Sequence, residues 1–476
     1  MHVALVLLGG ISELTLARWQ FAMTTLFHFV FVPLTLGLAP LLALMETQWV
    51  RTGNDAWLRL TRFFGTLFLI NFVIGVATGL VQEFQFGMNW SAFSAYVGDV
   101  FGSPLAIEGL GAFMLEATFI GLWVFGWDRL GRKTHLATIY LVWLGTWASA
   151  YFIIAANSWM QHPVGYQINN QLHRAQATDI GKILFQEFTI AAYIHVILAG
   201  LMTGVFVVLA VSCWHLFRRR NVDLFKRTAR VAIVLGIPIT LVQLGWGSEF
   251  GVYTTKVQPM KIAAAEALWN TADPAPFSLV QIGGFTVNDE TPSFDIAIPG
   301  LLSFLSTNSF KKPVTGMNQV QSQYQQQYGS GNYLPPVELV FWSMRVMAYA
   351  GVLSLLVALV GGLLWWRRRL EDAGWFHVAA MAAVVLPYIS GFAGWILTET
   401  GRQPWIAYGL LRTADGVSPL VSGGEVALSL GSFVLLYGIL VVAFVWLMAR
   451  YARLDPPEAF PAEAPSRAGE RAAPAY

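Results

Sequence analysis

Nine separate stretches of this chain are apolar enough, and long enough, to cross a lipid bilayer, and that excludes nearly every soluble architecture. They run over 19–45, 57–82, 104–126, 134–157, 183–214, 228–247, 339–365, 375–399 and 425–449. All are rich in Leu, Val, Phe, Ala and Gly, which favours helices over barrel strands. Charged residues make up only 12% of the chain, half of the roughly one quarter usual for a soluble domain. The fold class that follows is an all-α polytopic membrane protein with nine transmembrane helices. The first run is too long for a secretory signal and lacks its cleavage site, so it stays as a span. Residues Ser12–Arg18 ahead of it read as a short interfacial helix. The single cysteine, Cys213, excludes an intrachain disulfide and a thiolate-held iron–sulfur cluster.

Sidedness follows from Lys and Arg. Every second connection is basic: 51–62, 129–133, 218–230, 367–369 and the end of the last span hold seventeen positive residues. The opposite short segments hold five: Arg18, Arg174, Lys182, Arg402 and Arg412. The N-terminus is therefore expected outside and the C-terminus inside. Four regions result: 1–247 with helices 1–6 and the interfacial helix, a long outer loop at 248–338 between helices 6 and 7, 339–453 with helices 7–9, and a disordered cytoplasmic tail at 454–476. The loop is too long for a plain connection, which makes it functional or disordered. Within it Lys261–Trp269 reads as helix and Ser278–Val287 as strand. Nothing in the charge pattern calls for nucleic acid.

A charged group at the bilayer centre costs at least about 2.5–3.5 kcal/mol, so intramembrane polar residues carry the functional hypotheses. Of eight histidines, only His28 and His195 sit well inside spans. One such histidine is often a hydrogen-bonded structural residue; two in the outer halves of their spans suit haem ligation better. Glu108 and Glu116 lie eight residues apart in the third span, about 12 Å along a helix and within roughly 80° of one another. That spacing suits a proton path, against a plain packing role. Trp395, Glu399 and Arg402 share a face at the end of the eighth span, an arrangement that is otherwise a structural ion pair. Met347 is ordinary filler on its own. It gains meaning as a possible partner of His195, since a His/Met pair makes a raised-potential haem. With the derived sidedness, His28, Glu108, His195, Met347 and Glu399 all fall in the outer half, and Glu116 lies deeper.

Seven motifs then carry a resemblance. They are Arg18-Trp-Gln-Phe with His28 following, Glu83-Phe-Gln-Phe-Gly, Gly98-Asp-Val-Phe-Gly-Ser-Pro-Leu-Ala-Ile-Glu108, Asn157-Ser-Trp-Met-Gln-His-Pro-Val-Gly165, Gln258-Pro-Met-Lys-Ile-Ala-Ala-Ala-Glu266, Phe341-Trp-Ser-Met-Arg-Val-Met347 and Gly401-Arg-Gln-Pro-Trp405. From about residue 12 to 453 the chain resembles subunit I of cytochrome bd-type quinol oxidases, of the short outer-loop type.

The resemblance implies three haems: a low-spin haem b, a high-spin haem b and a haem d. His195 and Met347 match the ligands of the low-spin haem. His28 and Glu399 match those of the high-spin pair, with His28 leaning to haem d. Arg345, Trp395 and Arg402 match residues that stabilise the haem group, Glu108 an acid beside the high-spin pair, and Glu116 one in the proton path. Lys261 and Glu266 match the quinol-oxidising pair of the outer loop. The implied partners are a subunit II, a small single-helix accessory subunit, menaquinol or ubiquinol, and O2, in a bacterial cytoplasmic membrane. The implied activity is quinol:oxygen oxidoreduction, with protons released outside, taken up from inside, and none pumped. The competing readings are a relative with only b haems, a secondary transporter, and a haem anchor that only passes electrons. The transporter reading lacks the internal repeat common in that class, and the anchor reading lacks the histidines for two His/His pairs.

Overall fold

The computed structural model describes residues 12–458. Among them nine helical segments are long and apolar enough to cross a membrane. The first is two helices, α1 (Glu13–His28) and α2 (Val32–Thr52). Ser12 caps α1, its side chain accepting from the Thr15 amide, and the helix runs through Arg18 without a break. The separate interfacial helix expected at Ser12–Arg18 is therefore absent. The chain breaks instead at 29–31, and Pro33 follows in the first turn of α2, where its missing N–H could not continue the hydrogen bonding of α1. Gly53, at φ +66°, ends α2 and lets Asn54 cap α3 (Asp55–Met88).

The third segment also starts earlier than expected. It is helical from Ser91, as α4 (Ser91–Ile107), a π-helical turn (Glu108–Phe113) and α5 (Met114–Phe125). A π turn hydrogen-bonds from i to i+5 and winds wider than an α-helix, so the regular 80° offset expected between Glu108 and Glu116 does not apply. Then come α6 (Arg132–Gln161), a hairpin of β1 (Tyr166–Asn169) and β2 (Arg174–Ala177), the short α7 (Ile180–Phe185), α8 (Glu187–Phe217) and α9 (Val222–Val257). The span α8 is the most buried of the nine. It crosses α2 where Gly37 faces Gly200 and Gly204; a Cβ on Gly37 would lie 2.7 Å from the Gly204 amide nitrogen. Only small residues allow backbones so near.

The helix α9 continues ten residues past its expected end at 247, so the long connection begins at Gln258. That connection is built, not loose. It holds α10 (Pro259–Ala265), an antiparallel hairpin of β3 (Phe277–Gly283) and β4 (Pro292–Ile298), α11 (Leu301–Thr307) and α12 (Met317–Tyr328). The helix α10 stops earlier than expected, ahead of Ala267 at φ +48°. The Gln-rich stretch is α12, whose Met317, Val320 and Tyr324 are buried against α10 and Trp405. The remaining spans are α13 (Val337–Trp366), the pair α14 (Gly374–Ala382) and α15 (Leu386–Thr400), and α16 (Gly423–Ala452). Between α15 and α16 lies a small hairpin, β5 (Trp405–Ala407) with β6 (Leu411–Arg412).

The face opposite the long connection is the basic one. There the C-terminal segment is clamped: Arg59 donates to the carbonyls of Pro456 and Pro457, and Arg220 and Asn221 hold Asp455 at 2.7 Å each. Residues 455–457 are thus held by hydrogen bonds and one ion pair, against the expected disorder, and the rest of the expected tail, 459–476, lies outside the described residues.

Candidate functional site

The C-terminal end of α15 is where the chemistry-bearing helices meet. Gly394 faces Met347 of α13; a Cβ there would lie 3.0 Å from the Met347 sulfur. Trp395 packs its ring 4.6 Å from Phe29, the residue after His28. Glu399, one turn on, accepts from Asn157 Nδ2 at 2.9 Å and Gln161 Nε2 at 3.4 Å, and pairs with Arg402. Four distant parts of the sequence (α1, α6, α13 and α15) are thereby brought together near the long connection.

Two imidazoles flank this region. The Nδ1 of His28 is 2.9 Å from Thr78 Oγ1, which leaves Nε2 as the nitrogen available to a metal. The ring lies against Gly79, where a Cβ would approach Cε1 to 3.1 Å. On α8, His195 is held between α9 residues: Gly247 leaves room for its ring, and Gln243 Nε2 approaches its Nε2 at 3.4 Å. Its Nδ1 is buried without a partner, as is Gln243 Oε1. Such orphaned polar atoms cost free energy unless something else satisfies them. The guanidinium of Arg402 is buried too, and its Nε and Nη1 have no protein partner. A planar iron macrocycle with anionic side groups fits these atoms. The nitrogens offer axial ligands and the spare guanidinium donors offer an anion site. Among the described residues, no three His, Cys, Asp or Glu side chains gather to hold a bare ion.

One helix, α6, supplies a hydrogen-bond partner to four acids. His135, Thr146, Ser149, Asn157 and Gln161 fall in one stripe roughly a third of a turn wide at about 100° per residue. Nearest the basic face, His135 Nδ1 meets Glu46 Oε1 at 2.7 Å, and Trp123 Nε1 donates to the other oxygen at 2.8 Å. Thr146 donates to Glu116 at 2.6 Å, and Ser149 to Glu108 at 2.6 Å. Asn157 and Gln161 hold Glu399. Glu108 and Glu116 therefore do share a wall, because α6 faces both across the π turn. Sequence reasoning missed Glu46 and His135, since His135 counts there as a span end. The polar stripe along an otherwise apolar α6 is the signal that would have found them.

The loop pair is placed differently from solvated charges. Lys261 and Glu266 are both buried, each with its own partner. Lys261 Nζ donates to Gln161 Oε1 at 2.6 Å and lies in the field of Arg402 and Glu399. Burial first, and the Arg402 charge next, lower its pKa to about 7. Glu266 pairs with Arg345 at 2.7 Å. Burial pushes its carboxyl up, and the guanidinium opposes this. Arg345 also donates to the carbonyls of Ser278 and Ala265 and lies on the Phe341 ring, 3.7 Å from its centroid. In this structure Arg345 ties α13 to the loop through Glu266 and β3.

Comparison with known proteins decides the family. Residues 16–456 match the family described as Cytochrome bd terminal oxidase subunit I. The chain belongs to the cytochrome bd terminal oxidase subunit I family. It is 44% identical over 440 residues to the Cytochrome bd ubiquinol oxidase subunit 1 of Bacillus subtilis (strain 168), covering 92% of this chain and 93% of that one. It is 38% identical to the Cytochrome bd-II ubiquinol oxidase subunit 1 of Escherichia coli (strain K12), covering 93% and 96%. The solved bd oxidase of Geobacillus thermodenitrificans superposes with a TM-score of 0.84 at 27% identity, over 93% of this chain and 99% of that one. The protein is thus a haem-containing, multi-pass membrane subunit of a quinol:oxygen oxidoreductase of the respiratory chain. The transporter and electron-anchor readings fall with that membership.

Proposed function

We propose that this bd-type subunit oxidises menaquinol or ubiquinol at the face carrying the long connection, and reduces O2 to water with protons drawn from the opposite, cytoplasmic face. It works with a subunit II and a small single-helix accessory subunit in a bacterial cytoplasmic membrane, N-terminus outside. His195 and Met347 would hold a low-spin haem b. His28 would hold haem d, and Glu399 the high-spin haem b, with Trp395 against the group and Arg402 on its anionic side chains. Haem supplies an electron-carrying iron, and where one axial position stays open, a place for oxygen to bind and be reduced.

The residues of the chain do the proton work. An amine titrating near 7 is a competent base at neutral pH, so Lys261 accepts a proton from the quinol hydroxyl. Glu266, braced by Arg345, orients the substrate and takes the second proton. On the other side, Glu116 and Glu108 pass protons up α6, their carboxyls held by Thr146 and Ser149. Release on one face and uptake from the other separates charge with no pumping.

The observation that carries this reading is the ladder of acids along α6, running from the basic face to the loop face. The test is a reduced-minus-oxidised visible spectrum with haem extraction from the purified oxidase. Haem b together with a red-shifted chlorin is expected. Haem b alone would overturn the haem d assignment in favour of the b-only type.

A further inference from the structure

The quinol-side lysine and the acid assigned to the oxygen side share one side chain. Gln161, the last residue of α6, is 0% exposed. Its Oε1 accepts from Lys261 Nζ at 2.6 Å and from Gln258 Nε2 at 3.1 Å, and its main-chain carbonyl accepts from Gln258 at 2.5 Å. On the other side its Nε2 reaches Glu399 Oε1 at 3.4 Å. The chemistry of the partners dictates the orientation of the amide. The Gln258 Nε2, which donates to the Gln161 main-chain carbonyl, only donates and a carboxylate only accepts, so the oxygen must face Gln258 and Lys261 and the nitrogen must face Glu399.

We propose that Gln161 is a positioning residue that couples the two half-reactions, holding Lys261 toward the quinol pocket and Glu399 toward its metal through a single oriented amide. The inference rests on the reading of Lys261 as the quinol-side base and of Glu399 as a haem ligand. The amide faces Lys261 and Gln258 from the loop, and Glu399 of α15 with its partner Arg402. The neighbour Asn157 also donates to Glu399, at 2.9 Å. Glu399 therefore keeps a donor when Gln161 is changed, and the site survives the substitution.

An amide lacks a charge, so it links the two sites without fixing the protonation state of either. A carboxylate in its place would favour protonated Lys261 and repel Glu399. A leucine would leave both unlinked and Lys261 free to wander.

The experiment uses the whole oxidase carrying Gln161→Glu, Gln161→Leu or Lys261→Ala, with short-chain quinol as substrate. Gln161→Glu should move the alkaline-rising limb of quinol oxidation up by about one pH unit, the smaller end of the shift an opposite charge produces. Gln161→Leu should raise KM about tenfold, and the spectrum of the high-spin haems should change while that of the low-spin haem stays as in the unchanged protein. A merely structural role would lower the yield of folded protein and leave the pH limb where it is. If Lys261→Ala slows quinol oxidation but neither Gln161 variant moves the pH limb or the high-spin spectrum, the coupling is overturned and the reading of Lys261 stands. If Lys261→Ala leaves quinol oxidation intact, that reading falls and takes the coupling with it.

Discussion

At the scale of single residues, burial separates the useful charges from the ordinary ones. Arg345 and Glu266 are both out of water and pair at 2.7 Å. Removing one partner of such a pair strands the other at a cost of about 3–5 kcal/mol. Arg345→Leu is therefore expected to loosen the loop, seen as faster proteolysis within 258–336, and to slow quinol oxidation. A shifted low-spin haem spectrum with an unchanged cleavage rate would assign Arg345 to the haem instead. Glu266→Ala should slow quinol oxidation while leaving the haem spectra intact; loss of haem absorbance would sink its assignment to the quinol site. Lys261 gives the pH dependence. Its pKa is lowered to about 7, so the protonated form dominates below that value and the neutral amine above it. A base works only when neutral, so the quinol-oxidation rate should rise with pH through about 7 and then level. Loss of that limb in Lys261→Ala checks the assignment, and a rate that falls with pH would reverse the role to a cation that binds substrate. The sequence marked Lys261 and Glu266 by motif and put them on a helix at a spacing unsuited to pairing with each other. It gave no hint that each has a buried partner of its own.

At the scale of elements, α6 is the organising piece. Its stripe of polar side chains meets acids from α2, α5, the π turn and α15. A hydroxyl that holds a carboxylate also sets which way that carboxylate faces. Thr146→Val keeps the shape of the residue and removes the donor to Glu116. It should lower steady-state oxygen consumption by about tenfold, less than the roughly hundredfold or more for losing a proton-transfer group itself, because Glu116 stays, with quinol KM and haem content unchanged. An unchanged rate would remove Glu116 from the proton path. The stripe was legible as a polar pattern in an apolar helix. Which acid meets which position was not, because a helix fixes angles along itself and leaves its neighbours open. The π turn was invisible for a related reason: a single extra-wide turn hardly changes the apolar periodicity.

For the whole molecule, the two faces differ in charge and in construction. The basic face carries short connections and a clamped C-terminal segment, and the other face carries a folded cap of three hairpins and four short helices between the spans. Vesicles holding the purified oxidase in one orientation should acidify the loop side during turnover by no more than the protons quinol releases, with a membrane potential that an uncoupler collapses. Acidification beyond the quinol protons would establish pumping and overturn the proposed charge separation. Acidification of the opposite face would invert the orientation.

The sequence by itself determined the number of spans, which face is basic, and which rare polar residues the membrane must tolerate. These follow from transfer free energies that each segment feels alone, whatever its neighbours. The motifs added the family. Tertiary structure decided the rest: that His135 serves Glu46, that Arg345 pairs with Glu266, that the C-terminal end of α15 gathers Met347, Phe29 and Asn157, and that Gln161 stands between Lys261 and Glu399. Each of these pairs joins residues tens to hundreds of positions apart. Such a contact exists only once helices have packed, because a buried donor or charge takes its partner from whatever the packing brings within about 3 Å.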